Sequence, residues 1–358
     1  MLPLRARPAE SDDDRMKISK PLVAALVPVA AYAAMRGVQA LALRRLRGKV
    51  VVVTGGSRGL GLELARQSLA HGARVAICSR HKRELNTAVR QLAKDFGEQS
   101  VYAAGCDVTD GDDAQAFIND VNERFGGVDL LINNAGIIQV GPVELMNRDD
   151  YDESIATHFW GPFNTINAAL PSLTRRRGRI VNITSIGGKI SIPHLVPYAV
   201  GKFALVGFSQ GLSAELAKDG VHVTTAFPGL MRTGSARNAW FKGQHRKEYG
   251  WFSIGSSLPL LTVSVQRAAY RILSAAMLRH PQVLFPFSAR ALLWSHQFAP
   301  RAAARVLRVV NRLLPQAGGI GERRVKGSQS TSNWSPSVLT KLGDLAAKRN
   351  NELGGRKS

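Results

Sequence analysis

Seven short apolar runs, separated by longer amphipathic stretches, fill residues 48–287, and this alternation limits the possible folds more than any other feature of the chain. The first run, GKVVVVTG over residues 48–55, is too short and too rich in valine for a helix, and it ends in glycines. It reads as a strand buried on both faces. Further strands are predicted over residues 73–80, 100–108, 129–136, 178–185, 221–229 and 281–286, with helical stretches between them. Each parallel connection needs its own crossover helix. The expected fold is therefore α/β: a doubly wound, Rossmann-type, mainly parallel sheet with helices on both faces.

Chemistry enters at the turn Thr54-Gly55-Gly56-Ser57-Arg58-Gly59-Leu60-Gly61, which follows the first strand and opens a helix. Glycines let a ligand approach the backbone, and a helix N-terminus presents free N–H groups to a pyrophosphate. A turn of this kind can also serve packing alone, so other segments must support the binding reading. Asn133-Asn134-Ala135-Gly136 ends the fourth strand and Ser185 ends the fifth; Tyr198 follows thirteen residues later, with Lys202 four beyond it.

Together these four segments resemble the short-chain dehydrogenase/reductase family over roughly residues 48–286. The resemblance implies an oxidoreductase that interconverts a carbonyl and an alcohol by hydride transfer. Tyr198 would act as general acid/base, Lys202 would bond the nicotinamide ribose, and Ser185 would orient the substrate oxygen. A phenol with a pKa of about 10 exchanges protons poorly at neutral pH unless a nearby cation favours its ionised form, and Lys202, one helical turn away, can supply that charge. Thr184 points to the opposite side of its strand, so Ser185 is preferred. Where the family commonly has an asparagine, three residues before Gly161, this chain has His158; it can serve as a substitute proton relay or be a packed, neutral histidine.

The end of the second strand bears on cofactor choice. NAD-preferring relatives usually place an aspartate there, whereas this chain has Ser79-Arg80 and adds Arg58 in the glycine turn. Two guanidinium groups without a carboxylate suit a 2′-phosphate, so NADP(H) is expected in preference to NAD(H). Asp107-Val108 matches the family's adenine contact, and Pro228-Gly229 with Thr233 resembles the loop that closes over the nicotinamide. Trp240, Phe241, Tyr249, Trp251 and Phe252, within residues 230–260, occupy the place of a substrate lid; they suit either the wall of a pocket for a lipophilic substrate or packing beneath a loop. Cys78 and Cys106 have neither CxxC spacing nor a histidine neighbour, so no metal site is predicted and a reducing compartment is expected.

Helical extensions flank this catalytic domain, assigned to residues 48–287. In the N-terminal one, residues 1–47, an acidic run at 11–14 precedes an apolar stretch at 21–35 that Arg36 interrupts. Fifteen helical residues span roughly 22 Å against about 30 Å of bilayer hydrocarbon. Continuing to Leu43 reaches that length only with a guanidinium and Pro28 inside the span. The stretch is expected to associate with a membrane or to pack. A rival reading starts the chain at Met16, with Lys17, Lys20 and a signal-peptide-like site at Ala31 and Ala33. Arg36, Arg44, Arg45, Arg47 and Lys49 oppose it, because such charge holds the following chain in the cytoplasm.

At the other end, residues 288–317 form a basic helical region in which Arg301, Arg305, Arg308 and Arg312 recur along a predicted helix over 301–314, with Val306, Leu307, Val310, Leu313 and Leu314 on its other faces. That helix suits an anionic membrane surface, or docking on the core or another subunit, so a homo-oligomer stays open. The tail, residues 318–358, is Gly/Ser-rich and expected to be partly flexible, with one more helix over 338–350. A formal net charge of +22 favours anionic partners. Nucleic acid is not expected among them, because the run Arg175-Arg176-Arg177-Gly178-Arg179 reads as a solvated turn before a strand, without interleaved aromatics. A regulatory protein that binds a dinucleotide on the same fold is the alternative to an enzyme; Ser185, Tyr198 and Lys202 favour the enzyme. The expected location is the cytoplasm, with association at the cytoplasmic face of a membrane.

Overall fold

The computed structural model describes residues 20–258, 262–332 and 340–352. The acidic run at 11–14, Met16 with Lys17, and Val338 at the start of the expected tail helix lie outside the described residues. The chain divides into two units between Leu41 and Ala42. Helix α1 (Lys20–Leu43) begins in the first, contains Pro28 and runs on through Arg36. Its Val29, Tyr32, Met35, Val38 and Leu41 are exposed at every third position. No helix among the described residues is long and apolar enough to cross a membrane.

The second unit is built on a seven-stranded sheet: β1 (Val50–Thr54), β2 (Arg74–Ser79), β3 (Val101–Gly105), β4 (Leu130–Asn133), β5 (Arg179–Ile183), β6 (His222–Pro228) and β7 (Gln282–Phe285). All neighbours are parallel, in the order β3-β2-β1-β4-β5-β6-β7. Every predicted strand is present. β3 and β4 stop short of their predicted ends because residues 106–108 and 134–136 leave the sheet to line a cleft at its C-terminal edge.

Between and after the strands run α2 (Gly59–Ala70), α3 (Lys82–Phe96), α4 (Gly111–Phe125), α5 (Arg148–Ile155), α6 (Gly161–Arg176), α7 (Val196–Glu215), α8 (His245–Gly255), α9 (Val265–Met277), α10 (Phe287–Phe298), α11 (Pro300–Leu313) and α12 (Lys341–Arg349). The alternation of side chains along a strand explains why both faces of β1 are apolar. Val51 and Val53 pack with Leu62 and Leu64 of α2 and Ile272 and Leu273 of α9. Val50 and Val52 pack with Phe117 and Ile118 of α4 and Ile166 and Leu173 of α6. Ala42, Leu43 and Leu46 are buried in the first of these clusters, so the core takes in residues ahead of 48.

The basic run at 175–179 differs from a solvated turn. Arg175 and Arg176 form the last turn of α6, and Arg177 ends it in the left-handed conformation at φ 45°. The Arg176 guanidinium donates to Asp129 at 2.9 Å, and Asp129 also accepts from Lys49 at 3.0 Å and from the Val50 amide. A buried carboxylate needs such partners.

The predicted C-terminal helical region is two helices. α10 and α11 pack through Leu293 and Leu307 against Ile186, Ile190 and Ala289, and no residue of α11 is buried. Farther on, Val325–Lys326 pairs with Trp240–Phe241, which pairs with Gln139–Val140, giving a small three-stranded sheet.

Candidate active site

Two adjoining clefts open at the C-terminal edge of the sheet, beside the point between β1 and β4 where strand order reverses. Ligands bind there in doubly wound folds because neighbouring crossovers turn away to opposite faces. At the end of β1, Thr54 Oγ1 accepts from the amides of Asn134 and Ala135, at 3.0 and 3.1 Å. In return, Asn134 Nδ2 donates to the carbonyls of Thr54 and Gly55. This reciprocal set locks the glycine turn to the end of β4.

Gly55 and Gly61 show why the turn requires glycine. Gly55 has φ +64°, and a Cβ there would lie 2.9 Å from the Ala135 Cα; a Cβ on Gly61 would lie 2.3 Å from the Gly55 carbonyl oxygen. Thr54 and Gly61 therefore build the cleft without lining it. Gly55, Ser57, Arg58, Gly59, Leu60, Ser79, Arg80, Asp107, Val108, Asn134, Ala135 and Gly136 all line it, around a volume of about 690 Å³. That volume, the open backbone and the cations at one end fit a dinucleotide.

The electrostatics at that end differ from the sequence expectation of two guanidinium groups without a carboxylate. Arg58 Nη1 lies 2.7 Å from both carboxylate oxygens of Glu84 at the start of α3, and Arg80 Nη1 is 3.5 Å from Asp107. Residues far along the chain complete the rim. Trp240 and Lys326 line the same cleft, with the Lys326 nitrogen 3.7 Å from the centre of the Trp240 ring. The carboxylate of Glu352, on the segment after α12, accepts from the amide of Gly234. No local signal in the sequence marks Lys326 or Glu352 as cleft residues.

Beneath the rim, Cys78 and Cys106 are buried free thiols; a hydrogen bond with Cys106 and burial push the Cys78 thiol well above its ordinary range. No group of three or more potential metal ligands occurs among the described residues.

The second cleft, about 620 Å³ and mainly apolar, shares Leu60, Asn134 and Gly136 with the first. Ser185, Tyr198, Lys202, His158, Pro228, Gly229 and Thr233 all line it. Ser185 leaves β5 with its Oγ accepting from the Gly187 amide at 3.0 Å and 3.5 Å from the Pro228 carbonyl. Thr184 instead donates to the Ala226 carbonyl at 2.5 Å. Lys202, one turn after Tyr198 on α7, donates to the Ile183 carbonyl at 2.9 Å, with its nitrogen 5.7 Å from the centre of the Tyr198 ring.

Burial dominates the titration of this pair, pushing the phenol of Tyr198 up and the ammonium of Lys202 down to about 7. A hydrogen bond with Ser185 opposes the rise at Tyr198. The phenol thus holds its proton at neutral pH. His158 sits in a π-helical turn, Ala156–Trp160, with its ring edge-on to Tyr198 at 5.3 Å. Its Nε2 is 3.0 Å from the Ile137 carbonyl, and its Nδ1 is buried without a partner. Burial, then the Lys202 charge, holds the imidazole well below its ordinary pKa and hence neutral.

The lid aromatics divide between the two roles open from sequence. Phe241, Tyr249 and Phe252 form a buried cluster. Trp251 and Phe252 also wall the second cleft, and Trp251 donates to the buried Glu248 at 2.7 Å, which His194 contacts at 2.9 Å.

Comparison with known proteins agrees with this geometry. Residues 49–242 match the family described as short chain dehydrogenase. Over 189 residues the chain is 36% identical to an uncharacterized oxidoreductase of Mycobacterium bovis, covering 52% of this chain and 75% of that protein. It is 35% identical over 202 residues to an 11-beta-hydroxysteroid dehydrogenase 1A of Arabidopsis thaliana, covering 56% of this chain and 57% of that protein. The crystal structure of a short-chain dehydrogenase from Streptomyces avermitilis superposes with a TM-score of 0.63 at 31% identity, covering 74% of this chain and 97% of that one.

Proposed function

The chain belongs to the short-chain dehydrogenase family and is an oxidoreductase acting on CH–OH and C=O groups; from that premise we propose that it uses NADP(H) to interconvert a lipophilic ketone or aldehyde with its alcohol. One observation carries the proposal: Ser185, Tyr198 and Lys202 line a single apolar cleft that opens into the dinucleotide-sized cleft over the glycine turn.

The turn from Gly55 to Leu60 would hold the pyrophosphate, Asp107 and Val108 the adenine, and Arg58 and Arg80 the phosphate on the adenosine ribose. Lys202 would meet the nicotinamide ribose, and Pro228, Gly229 and Thr233 would close over the nicotinamide amide. When bound, the reduced nicotinamide supplies a hydride. Tyr198, protonated at neutral pH by its burial, gives its proton to the substrate oxygen. Ser185, whose Oγ accepts from the Gly187 amide and donates only a long 3.5 Å bond to the Pro228 carbonyl, can turn its O–H to that same oxygen. Trp251 and Phe252 exclude water and suit an apolar substrate body, in keeping with the steroid dehydrogenase named among the relatives. A panel of lipophilic carbonyls, followed by NADPH absorbance, tests the reading. Tight dinucleotide binding with no turnover on any of them would favour the regulatory alternative.

A second reading concerns location. α10 and α11 expose Phe287, Trp294, Phe298, Val306, Val309 and Leu313 beside Arg301, Arg305, Arg308 and Arg312, and Ala289 and Leu292 of α10 line the substrate cleft. Apolar side chains among arginines suit the cytoplasmic face of an anionic membrane, where each basic residue adds about 1 kcal/mol. Flotation with anionic vesicles tests this: replacing the four arginines with glutamine should release the protein at low salt, and a wild-type protein that stays unbound at low salt overturns it.

A further inference from the structure

The segment after α11 brings a cation to the dinucleotide cleft, on strand Val325–Lys326. Lys326 pairs with Trp240 across the small sheet, and the Gly327 amide donates to the Ala239 carbonyl at 2.9 Å. A Cβ on Gly327 would lie 2.0 Å from the Ala236 oxygen, so the glycine fixes this register. The side chain turns over Trp240 into the cleft, where its nitrogen reaches the Asn238 carbonyl at 3.3 Å.

Arg58 is neutralised by Glu84, and Arg80 has Asp107 beside it. Lys326 has no ion pair among the described residues. Burial, then Arg58 and Arg324, lowers its ammonium to about 8; Glu153 opposes them, by more than the remaining push from Arg80. A half-buried ammonium among other cations is a site that an anion would relieve.

We propose that Lys326 joins Arg58 and Arg80 around the phosphate on the adenosine ribose of the bound dinucleotide and, as the one of the three without a carboxylate bonded to it, contributes most to reading it, an inference that rests on the NADP(H) reading above. Titrating NADPH and NADH into the full chain by nicotinamide fluorescence tests it. Lys326→Gln should weaken NADPH by about tenfold or more while NADH changes less than about twofold, and Lys326→Arg should restore most of the loss. Equal losses for both dinucleotides, or none, overturn the assignment. A wild-type protein that binds both equally overturns the phosphate reading itself, and one that binds neither overturns the oxidoreductase site.

A separate observation concerns the segment after α12, which lies on the glycine turn. The Gly59 amide donates to the Asn350 carbonyl at 2.9 Å, and Asn351 Nδ2 donates to the carbonyls of Ser57 and Glu84 at 2.9 and 3.0 Å. Glu352, which is buried, reaches across to the Gly234 amide, with its other oxygen 2.9 Å from where a Cβ of Gly59 would stand. Its carboxylate thus sits at the N-terminus of α2, next to the loop carrying Thr233, and it lines both clefts. A helix N-terminus favours an anion, and the pyrophosphate would claim the same place.

The geometry points to Glu352 as a built-in competitor of the dinucleotide, displaced with its segment when the dinucleotide binds. In the full chain, Glu352→Gln should tighten NADPH by about three- to tenfold, as one like-charge repulsion is removed. A chain ending at Ser332 should bind at least as tightly as the glutamine variant. Trypsin adds a readout in the unaltered protein: saturating NADPH should speed cleavage after Lys348 and Arg349. Protection of those bonds by NADPH, or weaker binding by Glu352→Gln, would show instead that the segment clasps the dinucleotide.

Discussion

The floor of the clefts and their rim are built in opposite ways. The floor comes from strand ends: the turn after β1, Asn134 after β4, Ser185 after β5, and Tyr198 and Lys202 on the helix that follows. The first three sit where a buried strand stops, and Lys202 ties its helix to the end of β5 through the Ile183 carbonyl, so these positions follow from the sheet. The rim comes from Trp240, Lys326 and Glu352, brought together by a two-residue strand pairing and a few capping bonds. Groups on the floor are fixed by the core, whereas those on the rim are held by a short strand pairing and single hydrogen bonds. The floor is thus suited to chemistry, and the rim to selecting what reaches it.

The sharpest way to break this contrast is Tyr198→Phe. Turnover on a verified substrate should fall by about 10²–10⁴-fold, because the ring survives and the transferable proton does not. Dinucleotide affinity, measured by titration, should stay within about twofold. Undiminished turnover would remove Tyr198 from the chemistry.

Stability against pH separates the two regions by sign. Lys202 on the floor titrates at about 7 when folded, below its ordinary 10.5. The unfolded chain therefore binds more protons between those values. Stability gained through Lys202 is present above 10.5 and lost as pH falls through 7, with a slope of up to about 1.4 kcal/mol per pH unit. Denaturant melts of wild type and Lys202→Met should converge at high pH and diverge toward pH 7, where the wild type is penalised.

Glu352 on the rim titrates at about 7 when folded, above its ordinary 4.5. Its contribution is present below 4.5 and lost as pH rises through 7. Glu352→Gln should therefore remove a decline in stability across pH 4.5–7, by a smaller amount than Lys202→Met because its window, 4.5 to about 7, is narrower than that of Lys202, 10.5 to about 7. A flat difference between wild type and either variant over its window would mean that the side chain is not titrating from a buried position.

The smallest expected effect belongs to Arg80→Ala. Its guanidinium is exposed and 3.5 Å from Asp107, so removing it should narrow the preference for NADPH over NADH only about two- to fivefold, less than Lys326→Gln. A larger loss than that of Lys326→Gln would return the phosphate contact to the strand end and reverse the ranking of floor and rim.

Much of the floor was legible because local patterns encode it. A valine run with glycines at its end must stop in a turn open to a ligand, and Tyr198 and Lys202 four apart must share a helix face. The pairing of Arg58 with Glu84 was not legible, because it depends on how α3 begins beside the glycine turn, and no spacing announces it. His158 was open between relay and packing; its neutrality follows from burial and from the Lys202 charge, both properties of the assembled pocket.

By itself, the sequence determined the parallel sheet, the glycine turn and the side chains gathered at the strand ends, because hydrophobic periodicity and glycine's backbone freedom act over a few residues. Only the tertiary structure decided which charges face the clefts. Lys326 and Glu352 lie more than two hundred residues beyond the turn they serve. Electrostatic and hydrogen-bond energies depend on distance in space, and separation along the chain carries no record of it.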